Sequence, residues 1–224
     1  MSKPIVIAID GVSGSGKSTL ARGLARRLGF AYLDTGAMYR ALTYKALRSG
    51  ADFSQPEKLY GCVKHCKLRL NTSGKRLWLD GKEVTHPIRG IAVSQHVSIL
   101  ASVPKIRHWM VRLQRSIARH QSVVMEGRDI GTVVFPKAQI KFFLTASLEE
   151  RAKRRIHEMR AMGSSAKYET ILKNLADRDA RDSGRKVSPL RKAPDAILID
   201  STNMTAAQKT QHALAIVRPR LKKA

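Results

Sequence analysis

Apolar residues fall into two patterns along this chain: short, nearly unbroken runs, and longer stretches in which every third or fourth position is apolar. The runs lie at residues 4–9, 31–33, 122–125, 140–144 and 196–199. Their length and β-branched content predict strands buried on both faces, as in a parallel sheet. Helical periods separate them. Leu20, Leu24 and Leu28 recur at four-residue spacing after Lys17, a second helix is expected from Ala37 to about Leu47, and a long one over about 91–120 should break near Pro104. Ser147-Leu148-Glu149-Glu150 reads as a capping box opening a helix to about Met162; Tyr168, Ile171, Leu172 and Leu175 share one face of the next, and Thr205-Ala206-Ala207-Gln208 caps a last one. One interval departs from this rhythm. Residues 67–70 and 76–79 alternate polar and apolar around Asn71-Thr72-Ser73-Gly74, and Asp80-Gly81 turns into Lys82-Glu83-Val84. The expectation is an α/β fold of five buried parallel strands flanked by helices, carrying a small three-stranded antiparallel insertion.

The first strand-to-helix junction carries chemistry. Gly11-Val12-Ser13-Gly14-Ser15-Gly16-Lys17-Ser18, with Thr19 behind it, fits the phosphate-binding pattern G-x-x-x-x-G-K-[ST]. Its glycines let successive N–H groups converge on phosphate oxygens at a helix N-terminus. Lys17 is placed for the β and γ phosphates and the Ser18 hydroxyl for Mg²⁺, so the loop predicts binding of a nucleoside triphosphate.

Composition narrows the class. A chain of 224 residues, 43% hydrophobic, suits one globular domain. With no charged-apolar-small leader pattern and no long uncharged apolar stretch, a soluble cytoplasmic protein is expected. Cys62 and Cys66, with His65 between them, lack a second Cys/His pair and read as reduced, partly buried helix positions. Lys and Arg number 42 against 17 Asp and Glu, a formal charge of +25 that attracts polyanions of any kind. Arg218, Arg220, Lys222 and Lys223 read as a solvated helix end, and the strands lack the basic-aromatic interleaving of an RNA-binding sheet.

Three further clusters follow strand ends or lie on helices. Asp34-Thr35-Gly36-Ala37-Met38-Tyr39-Arg40 leaves a strand at the edge where open α/β sheets bind ligands; Arg40 suits two phosphate oxygens, the blander alternative being that Asp34 and Thr35 merely cap the helix. Glu126-Gly127-Arg128-Asp129 combines carboxylates able to position Mg²⁺ waters or accept from an amino group with a positive charge. Arg178, Asp182 and Arg185, at i, i+4 and i+7, would share a helix face, either as a salt-bridge ladder or as a binding surface. Arg151, Arg154 and Arg155 find only Glu149, Glu150 and Glu158 nearby in sequence, and a helical hairpin around Gly163 would form a lid.

These motifs, in this order, resemble those of the bacterial cytidylate kinases: the phosphate loop, Leu33-Asp34-Thr35-Gly36-Ala37-Met38-Tyr39-Arg40, Glu126-Gly127-Arg128-Asp129-Ile130-Gly131-Thr132-Val133-Val134-Phe135-Pro136, and Arg178-Asp179-x-x-Asp182-x-x-Arg185. The resemblance spans about residues 4 to 217, including the insertion. It implies a phosphate-loop NTPase-type fold with a core of about 1–35, 91–148 and 190–224, an acceptor-binding region of about 36–90 with its β insertion at 62–90, and a lid of about 149–186. The implied reaction transfers a phosphoryl group from ATP, with Mg²⁺, to CMP or dCMP. By the same resemblance, Thr35, Arg107, Asp129 and Arg185 approach the cytosine, Ser98, Arg178 and Asp182 the sugar, and Arg40 and Arg128 the acceptor phosphate; Tyr39 belongs to the same substrate-binding set, and Arg154 and Arg155 to the ATP. Lys17, Arg128, Asp129, Arg178 and Arg185 form the implied catalytic group, and a monomer without membrane or specific nucleic-acid partners is implied. Thr35 stands where some members have Ser, and Glu126 where some have Asp; both keep the hydrogen-bonding chemistry. A kinase for another small acceptor, such as shikimate, would leave Arg178, Asp182 and Arg185 unexplained. A nucleic-acid-binding NTPase would account for the charge and predicts steep salt dependence.

Overall fold

The computed structural model describes residues 4–71, 73, 74, 76–161, 163 and 167–221. In chain order its elements are β1 (Val6–Gly11), α1 (Lys17–Leu28), β2 (Ala31–Asp34), α2 (Thr35–Arg48), α3 (Leu59–Val63), β3 (Leu68–Leu70), β4 (Leu77–Leu79) and β5 (Lys82–Glu83). Then follow α4 (Ile91–Leu100), α5 (Pro104–Ile117), β6 (Val123–Glu126), β7 (Ile140–Thr145), α6 (Leu148–Ala161), α7 (Tyr168–Gly184), β8 (Ile197–Asp200) and α8 (Ala206–Leu221).

Five strands form a parallel sheet in the order β2-β6-β1-β7-β8, and β3-β4-β5 form the separate antiparallel sheet expected of the insertion. β1 is buried at every position because it sits at the centre, with apolar layers on both faces. The two-residue strand period divides its side chains: Val6 and Ala8 join Leu33, Met38, Leu42, Leu100, Ile106 and Met110 in one core, while Ile7 and Ile9 join Leu20, Leu24, Phe142 and Leu214 in the other. A third, small core of Ala152, Met159, Ile171 and Leu175 holds α6 against α7.

The sheet register decides where the chemistry lies. Ile9 pairs with Glu126 and Asp34 with Glu126, while Gly11 pairs with Leu144, so all three polar motifs leave the same C-terminal sheet edge. The long helix breaks as expected. Val103 is extended ahead of Pro104, which opens α5 at a position where its missing N–H costs nothing.

Several expectations need correction. β8 is an edge strand, so only Ile199 is buried and Leu198 is 56% exposed, rather than being covered on both faces. Arg185 lies just beyond α7 with an extended backbone (φ −60°, ψ 134°), so no helical repeat places it beside Arg178 and Asp182. The Ser147 box is only half made. Glu150 N–H donates to Ser147 Oγ (3.2 Å), but the Glu150 carboxylate turns to Arg154, and Ser147 N–H donates instead to Thr202 Oγ1 (3.0 Å). Thr205 and Gln208 do cap α8 reciprocally. Cys62 lies in α3, but Cys66 is buried in the connection beyond it; both are free thiols. Thr72, Met162, Lys222 and Lys223 lie outside the described residues. Among those described, no helix is long and apolar enough to cross a membrane.

Candidate active site

β1 ends where its neighbours leave no room for a side chain. A Cβ on Gly11 (φ 147°) would collide with the Leu144 carbonyl of β7, and Gly14 and Gly16 follow at φ 77° and 85°. The loop is also pinned from outside. Ser15 Oγ donates to Val12 O (3.0 Å), Ser201 Oγ donates to Ser15 O (2.8 Å), and the Arg151 guanidinium donates to Ser13 O (3.1 Å). Lys17, 6% exposed, folds back to donate to Val12 O (2.6 Å). Burial, followed by the Arg128 charge, pulls its ammonium down to about 7, against the opposing carboxylates of Glu126, Asp10 and Asp182. Thr19 is exposed in the first turn of α1.

Ser18 Oγ donates to Glu126 Oε2 (3.0 Å), and the buried Tyr32 hydroxyl donates to the other oxygen of the same carboxylate. Burial and the neighbouring Asp34 raise the Glu126 pKa. Across this row, Asp34 caps α2 through Ala37 N–H (2.7 Å) and pairs with Arg40 (3.0 Å). Thr35 is no cap: its hydroxyl donates to Glu126 O (2.6 Å) and ties α2 to β6.

The segment after β6 is held by Asp10, which accepts from Ile130 N–H (2.8 Å) and Gly131 N–H (2.7 Å). Burial raises its carboxyl to about 6 despite those two bonds. Ile130–Val134 forms a π-helical turn directly after Arg128 and Asp129. Arg128 Nε donates to Asp182 Oδ2 (2.8 Å). Arg107 donates to Asp129 and to Ala101 O (3.2 Å), with its guanidinium 5.6 Å from the Tyr39 ring centroid. Burial pushes the Tyr39 phenol up to about 12. Arg185 Nη2 lies 3.3 Å from Asp182 Oδ1, yet its N–H directions make no hydrogen bond there; its Nε donates to Asp182 O (3.2 Å). Burial, then Arg128, lowers Arg178 to about 10. Among the described residues, Arg107 Nε, Arg178 Nε and Arg185 Nη2 are buried without a hydrogen-bond partner. An oxygen-rich ligand is the chemical complement of such donors. Ser98 is buried on α4.

The α6–α7 hairpin lies against the phosphate loop. Asp179 of α7 accepts from Ser13 N–H (3.2 Å) and pairs with Arg151. Arg151 therefore finds its acid across the hairpin rather than among the glutamates of its own helix. Arg154 binds Ser201 O (2.7 Å) and Glu150 (3.1 Å), while Arg155 pairs with Glu158 (3.2 Å). Sequence reasoning missed Asp10, Tyr32, Asp179 and Ser201. Asp10, an acid closing an apolar run immediately before the loop, carried a usable signal; Tyr32 read as strand filler, and Ser201 carried no signal in the sequence.

Two anion-binding surfaces thus face one crevice, a phosphate loop on one side and buried arginines on the other, which is the layout of a phosphate-loop kinase. The sequence comparisons narrow this class. Residues 7–219 match the cytidylate kinase family, and the chain belongs to it. A cytidylate kinase of Caldanaerobacter subterraneus is 47% identical over 218 residues, covering 97% of this chain and 96% of that protein. One from Geobacillus thermodenitrificans is 45% identical over 223 residues, covering 99% and 100%. A solved Thermus thermophilus protein shares the fold at 19% identity, with a TM-score of 0.51 over 98% of this chain and 99% of that one.

Proposed function

We propose that this chain transfers the γ-phosphoryl group of ATP to CMP and dCMP, giving ADP with CDP or dCDP. The observation that carries the reading is the buried Arg107–Asp129 pair beside Arg178, Arg185 and Asp182, opposite Lys17. Cytosine offers an amino donor next to N3 and O2 acceptors, which match a carboxylate and a guanidinium. Uracil reverses part of that edge and would leave buried groups unpaired. The assignment of Thr35, Arg107, Asp129 and Arg185 to the base follows from this match and from the family resemblance, with Tyr39 a further substrate-binding residue beside Arg107. Ser98, Arg178 and Asp182 are assigned to the sugar, and Arg40 and Arg128 to the acceptor phosphate.

The acceptor needs no general base, because a nucleoside monophosphate has a second pKa of about 6 and is largely a dianion at neutral pH. The protein's tasks are alignment, charge neutralisation and exclusion of water. Residues 11–19 hold the triphosphate, with Lys17 following the moving phosphoryl group. Arg128, Arg178 and Arg185 counter its charge from the acceptor side, and Asp129 fixes the acceptor through its base. Arg154 and Arg155 are assigned to the donor. Ser18 and the adjoining Glu126 present hard oxygen donors suited to Mg²⁺. Among the described residues no cluster of three or more His, Cys, Asp or Glu side chains could hold a metal, so Ser18 and Glu126 would hold the ion together with the bound nucleotide rather than as a protein-only cage. When bound, Mg²⁺ neutralises phosphate charge. The core, acceptor region and lid are proposed with the boundaries expected above, in a cytoplasmic monomer. A coupled ADP-release assay across CMP, dCMP, UMP and AMP tests the function: CMP and dCMP should dominate, and better turnover of UMP or AMP would refute the base assignment.

A further inference from the structure

Lys209 stands apart from the many surface lysines. It lies on α8 with Thr210, Ala213, Leu214 and Val217, the buried residues of that helix, and is itself 4% exposed. The register of α8 is locked to α1, because a Cβ on Gly23 would come 2.7 Å from Thr210 Oγ1. That register brings the Lys209 ammonium to the phosphate loop. A Cβ on Gly16 would collide with Lys209 Nζ and would come 3.9 Å from Arg154 Nη1. Gly16 is the N-cap of α1, where the helix dipole is also positive.

Two cations and the positive end of a helix therefore converge at this point. Arg154 is engaged by Glu150, Ser201 and Thr202, but among the described residues no carboxylate pairs with Lys209 and no acceptor takes its hydrogens. Burial, then Arg154, lowers its pKa, in agreement with an ammonium held without a counter-charge. An apolar residue would fill the stripe at lower electrostatic cost. The position within the loop indicates the missing partner. Ser18 faces Glu126, on the side of the acceptor arginines, whereas Lys209 sits on the opposite flank beside Gly16, Arg154 and Ser201.

We infer that Lys209 is a second donor-side lysine, which binds the nucleoside-proximal end of the triphosphate chain while Lys17 takes the transferred end. This rests on ATP being the donor. A lysine that merely lays its stem over apolar surface with its head in water would make no such contact.

The test compares the full-length parent with Lys209→Met and Lys209→Arg, varying ATP and CMP separately. Lys209→Met should raise KM for ATP about tenfold, the equivalent of ~1.4 kcal/mol, with KM for CMP unchanged and the ligand-free Tm equal to or above the parent's. Lys209→Arg should keep most of the ATP affinity. Calorimetric titration with tripolyphosphate, which needs no turnover, should show the same loss in Lys209→Met. An ATP KM and a tripolyphosphate affinity within twofold of the parent's would overturn the inference. So would a lower Tm with equal losses for both substrates, the mark of a packing role. A parent chain unable to use ATP with CMP would instead refute the proposed reaction, while the tripolyphosphate titration would still report on Lys209.

Discussion

Replacing Asp182 by Asn removes one negative charge from among Arg128, Arg178 and Arg185 and almost no volume. In the parent, Asp182 receives Arg128 Nε at 2.8 Å and has Arg185 Nη2 at 3.3 Å, with Arg178 close enough to help hold its carboxyl below the usual range. Burial works against that ionisation, and the three guanidinium groups outweigh it. Removing one partner of a buried ion pair costs about 3–5 kcal/mol, because the remaining charge stays desolvated. Arg128 retains 20% side-chain exposure and Asn keeps one acceptor oxygen, so the lower end, ~3 kcal/mol, is expected. For a domain of this size that is a fall in Tm of roughly 6–12 °C. The sign with pH follows from the lowered pKa. The carboxylate's contribution is complete above the ordinary Asp value of 3.8 and is lost only as pH falls through the lower folded value, so the gap between parent and variant should hold at neutral pH and close in strong acid. Differential scanning calorimetry with and without sulfate separates charge from packing. A bound anion returns the missing negative charge, so sulfate should raise the Tm of Asp182→Asn more than that of the parent. A loss under about 1 kcal/mol, or one indifferent to sulfate, would refute the reasoning, since surface-like pairs are worth only that much.

Three other substitutions test separate parts of the site. Asp129→Asn leaves Arg107 without its acid and reverses one hydrogen-bonding atom at the base, so kcat/KM for CMP should fall about 10- to 100-fold while the CMP-to-UMP ratio narrows; an unchanged ratio in the coupled assay would remove Asp129 from base recognition. Tyr32→Phe deletes the buried hydroxyl that supports Glu126, and urea unfolding should show a stability loss of ~1.5–3 kcal/mol with an unchanged m-value. Lys17 binds a proton less readily in the ligand-free fold, at about 7, than at its ordinary 10.5, so between those values the unfolded chain holds the extra proton and the Lys17 contribution makes stability rise with pH. Lys17→Met should remove that slope in urea titrations from pH 7 to 9.5, and a slope equal to the parent's would show that burial does not lower the lysine.

The parts of the site that were legible in the chain are those whose geometry is local. The phosphate loop needs only a buried strand, three glycines and an amphipathic helix in succession, and each of these leaves its own periodicity. The antiparallel insertion was visible for the same reason, as alternation interrupted by turn residues. Partner choice across the fold was not visible. Arg151 has three glutamates within seven residues, yet it pairs with Asp179, because the α6–α7 hairpin and the loop carbonyl of Ser13 set its direction. Tyr32 and Lys209 occupy positions that periodicity assigns to packing, and only tertiary contact shows one supporting a carboxylate and the other an unpaired charge. Leu198 failed in the opposite sense: the same apolar run suits a central strand or an edge strand, and strand order alone decides its exposure.

A chain with a formal charge of +25 could have made its crevice a general polyanion trap, and the acids placed inside it work against that. Asp129, Asp182 and Asp179 each hold an arginine: Arg107, Arg128 and Arg151 respectively. The pairs lower the repulsion that would otherwise oppose packing several guanidinium groups together. They also fix the orientation of those groups before any ligand arrives, so binding orders fewer side chains. Among the arginines of the described residues, what remains buried and unsatisfied is narrow: one nitrogen each of Arg107, Arg178 and Arg185, needing an acceptor in one direction. A nucleic-acid backbone would present phosphates to the paired carboxylates as well as to these donors, and would be repelled by the former. A compact nucleotide, with one phosphate and a base carrying both donors and acceptors, can satisfy the donors and use the carboxylates as well. On the proposed reading, the acids, rather than the arginine excess, would make the crevice selective.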